Sequence, residues 1–94
     1  MNALTNKLAA IGLKAIEADR ATLMRKAARQ DYLREFEEWK YQRGITERIT
    51  ADDSRWPALC AHVANTKAGR AYVEAQRNEK NAKARLASAI RRAA

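Results

Sequence analysis

Large aliphatic side chains are the first shortage in this 94-residue chain. Leu, Ile, Val and Phe together supply 15 residues, whereas alanine alone supplies 21. That share is below the ~20% under which a highly charged chain begins to look disordered, so any core must be thin. Glycine (3) and proline (1) are also scarce, which argues against a loop-rich or β-rich fold and for long helices. One cysteine, Cys60, excludes an intramolecular disulfide, and nothing suggests an oxidising compartment. No apolar run approaches the ~20 residues of a membrane span. The three glycines lie at 12, 44 and 69, so no glycine-rich phosphate loop exists.

The N-terminus has Lys7 and Lys14 and no acid before Glu17. It looks superficially like a targeting segment, but Leu8 to Leu13 is shorter than the ~7–15 residues of a secretory core. It reads as an amphipathic first helix of a cytoplasmic protein. The abundance of Ala and Arg fits a GC-rich bacterial or phage genome. The length allows one helical domain over residues 1–94.

Periodicity divides that domain. Leu4, Leu8, Ile11 and Ala15 share one helical face, widened by Leu13 and Ile16. Met24, Ala28, Tyr32, Phe36 and Trp39 repeat the spacing on a second face. Thr22, Arg25 and Arg29 interrupt the join, so a break is expected near Asp19, a residue able to cap a new helix. Gly44 ends the aromatic helix in the left-handed conformation, and residues 44–53 form a linker. Asp52, Asp53, Ser54 and Pro57 predict a short helix from about Arg55 to Ala64. Thr66 is placed to cap a final helix running toward Ala94, weakened at Gly69. The expected fold is all-α: three or four helices forming an elongated hairpin or small bundle.

What the chain has in excess is positive charge, with 19 Lys and Arg against 11 Asp and Glu, a net +8. Residues 67–94 hold eight bases and two acids, whereas residues 31–55 hold five bases and seven acids. At roughly 100° per residue, Lys67, Arg70, Arg77, Lys80, Arg85, Arg91 and Arg92 project into one arc. Ala68, Tyr72, Ala75, Ala82, Leu86, Ala89, Ile90 and Ala93 occupy the opposite arc, with Lys83 at the boundary. Such a ridge can track a phosphate backbone while its other face packs. It can also be an ordinary solvated face. A membrane-surface helix fits poorly, since the apolar arc lacks the Trp, Phe and Leu that insertion needs. Glu35, Glu37 and Glu38 sit late in their helix, where the dipole disfavours them. Pairing with the basic ridge, within the chain or across a dimer, would explain them.

Catalytic and metal chemistry find little support. Cys60 and His62 are the only Cys and His, two ligands at best where structural zinc needs four. A relay of His62 with Ser54 or Ser88 lacks nucleophile-elbow glycines. Asp52 and Asp53 are explained by helix capping. No enzyme activity, cofactor or metal site is expected. Tyr32, Phe36, Trp39 and Trp56 are read as core, since a base-stacking platform would interleave with Lys and Arg rather than Glu. The segment 59–73 can be compared with a helix-turn-helix, with Asn65–Thr66 as the turn. The expected function is non-enzymatic binding of nucleic acid, DNA or RNA, through the seven ridge residues. The alternative is a small bacterial or phage protein that binds an acidic protein surface and inhibits or adapts a larger host complex, such as a nuclease or defence ribonucleoprotein. With so thin a core, a homodimer is a plausible assembly.

Overall fold

The computed structural model describes residues 3–94, and among these the protein is all-helical. Helix α1 spans Ala3–Gln42, α2 spans Trp56–Ala64 and α3 spans Lys67–Ala93. The shape is elongated, 64 × 20 × 20 Å. No helix among the described residues is long and apolar enough to cross a membrane.

The expected break near Asp19 is absent: α1 is one helix of 40 residues. The reason lies in the residues that interrupt its stripe. Thr22 and Arg25 are half-buried and meet Glu79 of α3, while Arg29 faces solvent. A polar step in one helix is answered by an acid in the other, so the helix has no reason to end.

Along α3 one stripe of covered positions is Ala68, Tyr72, Ala75, Glu79, Ala82, Leu86, Ala89 and Ala93, with Gly69, Ala87 and Ser88 also covered beside it. The stripe alternates steps of four and three, the spacing of a helix–helix seam. The pairs Tyr32–Tyr72, Arg25–Glu79 and Glu17–Arg85 show that α3 runs antiparallel to α1. Alanine at most of these positions lets the backbones approach closely, but contributes little buried apolar area.

The larger side chains gather at one end. Trp39, Ile49, Leu59 and Val63 are buried together, with Tyr32, Phe36, Ile45 and Trp56 packed against them. Leu59 and Val63 are fully enclosed, each contributing about 1.5–3 kcal/mol by burial. Tyr32 meets Phe36 edge-on at 5.0 Å and Tyr72 at 4.7 Å, and Phe36 stacks on Trp56 at 6.0 Å. The aromatics are therefore core, apart from Tyr41, which is exposed. The linker is not inert, since it contributes Ile45 and Ile49 to this core. By contrast, Leu4, Leu8, Leu13, Ile16 and Met24 of the expected apolar faces are all more than half exposed.

The ends of the elements follow local chemistry. Gly44 has φ +67°, and the Ile45 N–H donates to the Lys40 carbonyl while Gly44 donates to Tyr41. This is the paired bonding of a left-handed helix stop. Pro57 lies in the first turn of α2, but no side chain caps that helix. Asp53 instead accepts from the Arg55 backbone N–H and guanidinium at 2.9 Å each, and Arg55 also reaches Glu47 at 2.9 Å. Thr66 caps α3 as expected, accepting from Gly69 at 3.0 Å. Gly69 is more than a weak helix former: a Cβ there would collide with the Val63 carbonyl. Its absence lets α3 leave α2 at close quarters.

Candidate nucleic-acid interface

Seating the small-residue stripe of α3 on α1 turns the opposite arc outward. Lys67, Arg70, Arg77, Lys80, Arg85, Arg91 and Arg92 are all exposed. They are not equally available. Arg70 donates to the Asn65 carbonyl at 2.7 Å, bending back over the turn between α2 and α3. Arg77 pairs with Glu74 at 3.3 Å, and Arg91 donates to the Ser88 hydroxyl at 3.1 Å. Arg85 approaches Glu17 of α1 at 3.8 Å. Lys67, Lys80 and Arg92 have no partner among the described residues. Exposed pairs of this kind contribute at most about 1 kcal/mol and yield readily to a stronger anion.

The acids expected to neutralise the ridge within the chain do not do so. Glu37 approaches Lys40 at 4.0 Å and Glu38 accepts from Gln42 at 3.1 Å, both on their own helix. Glu35 is half-buried at a shallow hollow that Lys67 also lines, without an ion pair to it. The acids that touch the ridge are Glu17 and Glu74. Sequence spacing gave no warning of Glu17, because the contact depends on the antiparallel register of α1 and α3.

One cation was missed for the same reason. Lys14 of α1 lines an open hollow of about 420 Å³ together with Arg85, Ser88 and Arg92. Three cationic residues and a serine thus line it from two helices, alongside Ala84 and Ala89, a composition suited to phosphate oxygens. Lys14 also pairs with Glu17 at 3.4 Å, so this carboxylate bridges Lys14 and Arg85.

The remaining candidates stand apart. Cys60 is half-buried and His62 exposed on α2, and no group of three His, Cys, Asp or Glu among the described residues could hold a metal ion. Asp52 is exposed, and Asp53 is engaged by Arg55, which lowers its carboxyl to about 2. The α2–turn–α3 segment has Leu59 and Val63 buried and Asn65–Thr66 in the turn. Tyr72 is unavailable to a ligand there, since it packs on Tyr32. No protein-family model, curated protein or solved structure matches this chain.

Proposed function

We propose that this is a small non-enzymatic nucleic-acid-binding protein whose elongated helical hairpin presents α3 to a phosphate backbone. The observation carrying the reading is the outward arc of seven cationic side chains, extended across the seam by Lys14. Phosphate contacts need mobile cations at intervals along a line, and carry no sequence information in themselves. The reading therefore favours backbone recognition over base readout. Tyr32, Phe36, Trp39 and Trp56 take no part, because they are spent on the core. The thin seam favours action as a homodimer. Titration of the protein into fluorescent duplex and single-stranded oligonucleotides at low salt tests the proposal. Binding that weakens steeply with salt, similarly for unrelated sequences, supports it; absence of binding to every form removes it.

A second reading draws on a different observation. Leu4 and Leu8 stand exposed one turn apart on α1 near its N-terminal end, and neighbouring exposed apolar side chains suit a protein partner. A bacterial or phage inhibitor or adaptor acting on an acidic protein surface would use them, and would need no affinity for free nucleic acid.

A further inference from the structure

A groove of about 490 Å³ runs along one side of the seam between α1 and α3. Its floor is apolar, formed chiefly by Ala21, Ala28, Ala71 and Ala75, and Met24 stands at its middle, 66% exposed. An exposed methionine over an alanine floor is an unfinished core: it has apolar surface to bury and nothing in its own chain to bury it against.

The α3 bank of this groove carries an unusual row. Glu74, Asn78, Asn81 and Arg85 follow one another at steps of four, three and four, so they lie on one side of the helix. Read in reverse, the row has the same order of amides with the end charges exchanged. Laid antiparallel on a copy of itself, it sets Glu74 against the copy's Arg85, and Asn78 against the copy's Asn81. The opposite pairs repeat by symmetry. The same twofold axis sets Met24 beside the copy's Met24 on the α1 bank, with Ala21 against the copy's Ala28. That agreement follows from the intrachain register, in which position 25 faces position 79. Asn78 and Asn81 have no hydrogen-bonding partner among the described residues.

We infer that this groove is the interface of a twofold antiparallel dimer, in which two copies of the chain close into a four-helix assembly around Met24. This names the surface for the self-association proposed above and stands whether or not the chain binds nucleic acid; in the dimer Arg85 is engaged by the copy's Glu74, which leaves the other six residues of the arc to meet phosphate. The occupant is a second copy because the pattern is self-complementary, the condition an isologous interface must meet. A partner of another sequence has no reason to require it. In a chain of net +8, the stretch from Glu74 to Arg85 is itself neutral, so like charges do not oppose at the centre of the contact, and only one heptad further out does the same register bring Lys67 opposite the copy's Arg92. The molecule is 64 Å long and 20 Å across, so a face along its seam has room for the about 800 Å² per partner that stable interfaces bury. Paired asparagines in an otherwise apolar seam fix register, the use such residues have in coiled coils. In the single chain Glu74 holds Arg77 and Arg85 leans on Glu17, both through exposed contacts that exchange for the intermolecular pair at little cost.

The test is sedimentation equilibrium of the full chain in nucleic-acid-free buffer, over concentrations up to about 100 µM. The parent protein is expected to sediment as a dimer. Glu74→Arg alone and Arg85→Glu alone each set like charges opposite one another, and each should weaken the homodimer at least about tenfold. Mixing these two variants should restore dimers as a heterodimer, and the double variant Glu74→Arg/Arg85→Glu should restore the homodimer. Recovery on mixing cannot come from chains that fail to fold. A monomeric parent over the whole range overturns self-association altogether. A dimer indifferent to either single reversal, or single variants that stay monomeric when mixed, overturns this face as its interface.

Discussion

Arg25 and Glu79 face each other across the α1–α3 seam, with Nε to Oε1 at 3.1 Å and Nη2 to Oε2 at 3.4 Å. Two parallel contacts of this kind form a fork that fixes direction as well as distance. Both side chains are largely covered, at 25% and 15% exposure. The Thr22 hydroxyl and then Arg25 hold the Glu79 carboxyl below its ordinary range. A seam of alanines slides easily, since every step of seven presents a similar surface. One part-buried charge pair that joins the two helices removes that freedom, although Lys83 of α3 also approaches Glu79 at 3.6 Å.

The pair therefore specifies register more than it adds stability. Glu79→Ala leaves Arg25 covered without its acid and should lower the melting temperature by about 5–10 °C. The double variant Arg25→Leu/Glu79→Leu should melt near or above the parent, yet populate shifted alignments of α3 on α1. Thermal melts give the first comparison, and a disulfide placed across the seam reports alignment in the second. A double variant with a single alignment would show that alanine packing alone sets register.

Two glycines in helices should respond oppositely to alanine. Gly69→Ala drives a Cβ into the Val63 carbonyl, which only backbone movement relieves, and should destabilise by about 1–3 kcal/mol. Gly12 has open space at the same position, and Gly12→Ala should stabilise by about 0.5–1 kcal/mol. Urea unfolding of the two variants checks both signs at once.

Phe36 sits between Tyr32 and Trp56 but is only partly covered. Phe36→Ala should cost about 2–3 kcal/mol, toward or below the lower end of the range for buried phenylalanine. Its affinity for nucleic acid should not change once the protein is kept folded. A variant that retains its melting temperature and loses affinity would return the aromatics to the binding surface.

Much of this organisation was legible in the chain itself. Gly44, Pro57 and Thr66 mark helix boundaries through backbone chemistry that operates within a few residues, and such signals survive without knowledge of the fold. The all-helical class followed from alanine content and the shortage of glycine and proline. The continuity of α1 was not legible, because Thr22 and Arg25 look like an interruption until Glu79 is placed opposite. Glu79 itself lies in the middle of the stripe Tyr72–Ala75–Ala82, where its charge disguised a packing position. Ile45 and Ile49 escaped for a related reason: a loop residue reaches a core through the path of the chain, which has no period to read. Spacing alone placed the seven cationic residues on one exposed arc of α3, whereas the position of Lys14 beside them needed the register between two helices.

Acid should destabilise the fold in a defined window. Asp53 is held at about 2 against an ordinary 3.8, first by the Arg55 side chain and then by the Arg55 backbone N–H. Glu79 and Glu47 are also lowered, the latter by its own backbone N–H and then by Arg55. For each, the unfolded chain binds the proton more readily, so stability rises with pH across the interval. The contribution is complete above about pH 5 and is lost as pH falls toward about 2. Urea midpoints measured through this range should fall steadily, and Arg55→Leu should flatten the decline. A midpoint independent of pH there would contradict the roles given to these carboxylates.

The most direct test of the ridge is the salt dependence of duplex binding in the parent and in Arg77→Ala/Lys80→Ala. Each phosphate contact on a duplex releases about 0.9 counterion, so removing two should reduce the slope of log K against log salt by about 2. The loss should be alike for unrelated sequences, while the melting temperature scarcely moves, because exposed substitutions usually stay within about 0.5 kcal/mol. A parent protein that binds no duplex or single strand at low salt, or a double variant with an unchanged slope, would contradict the account.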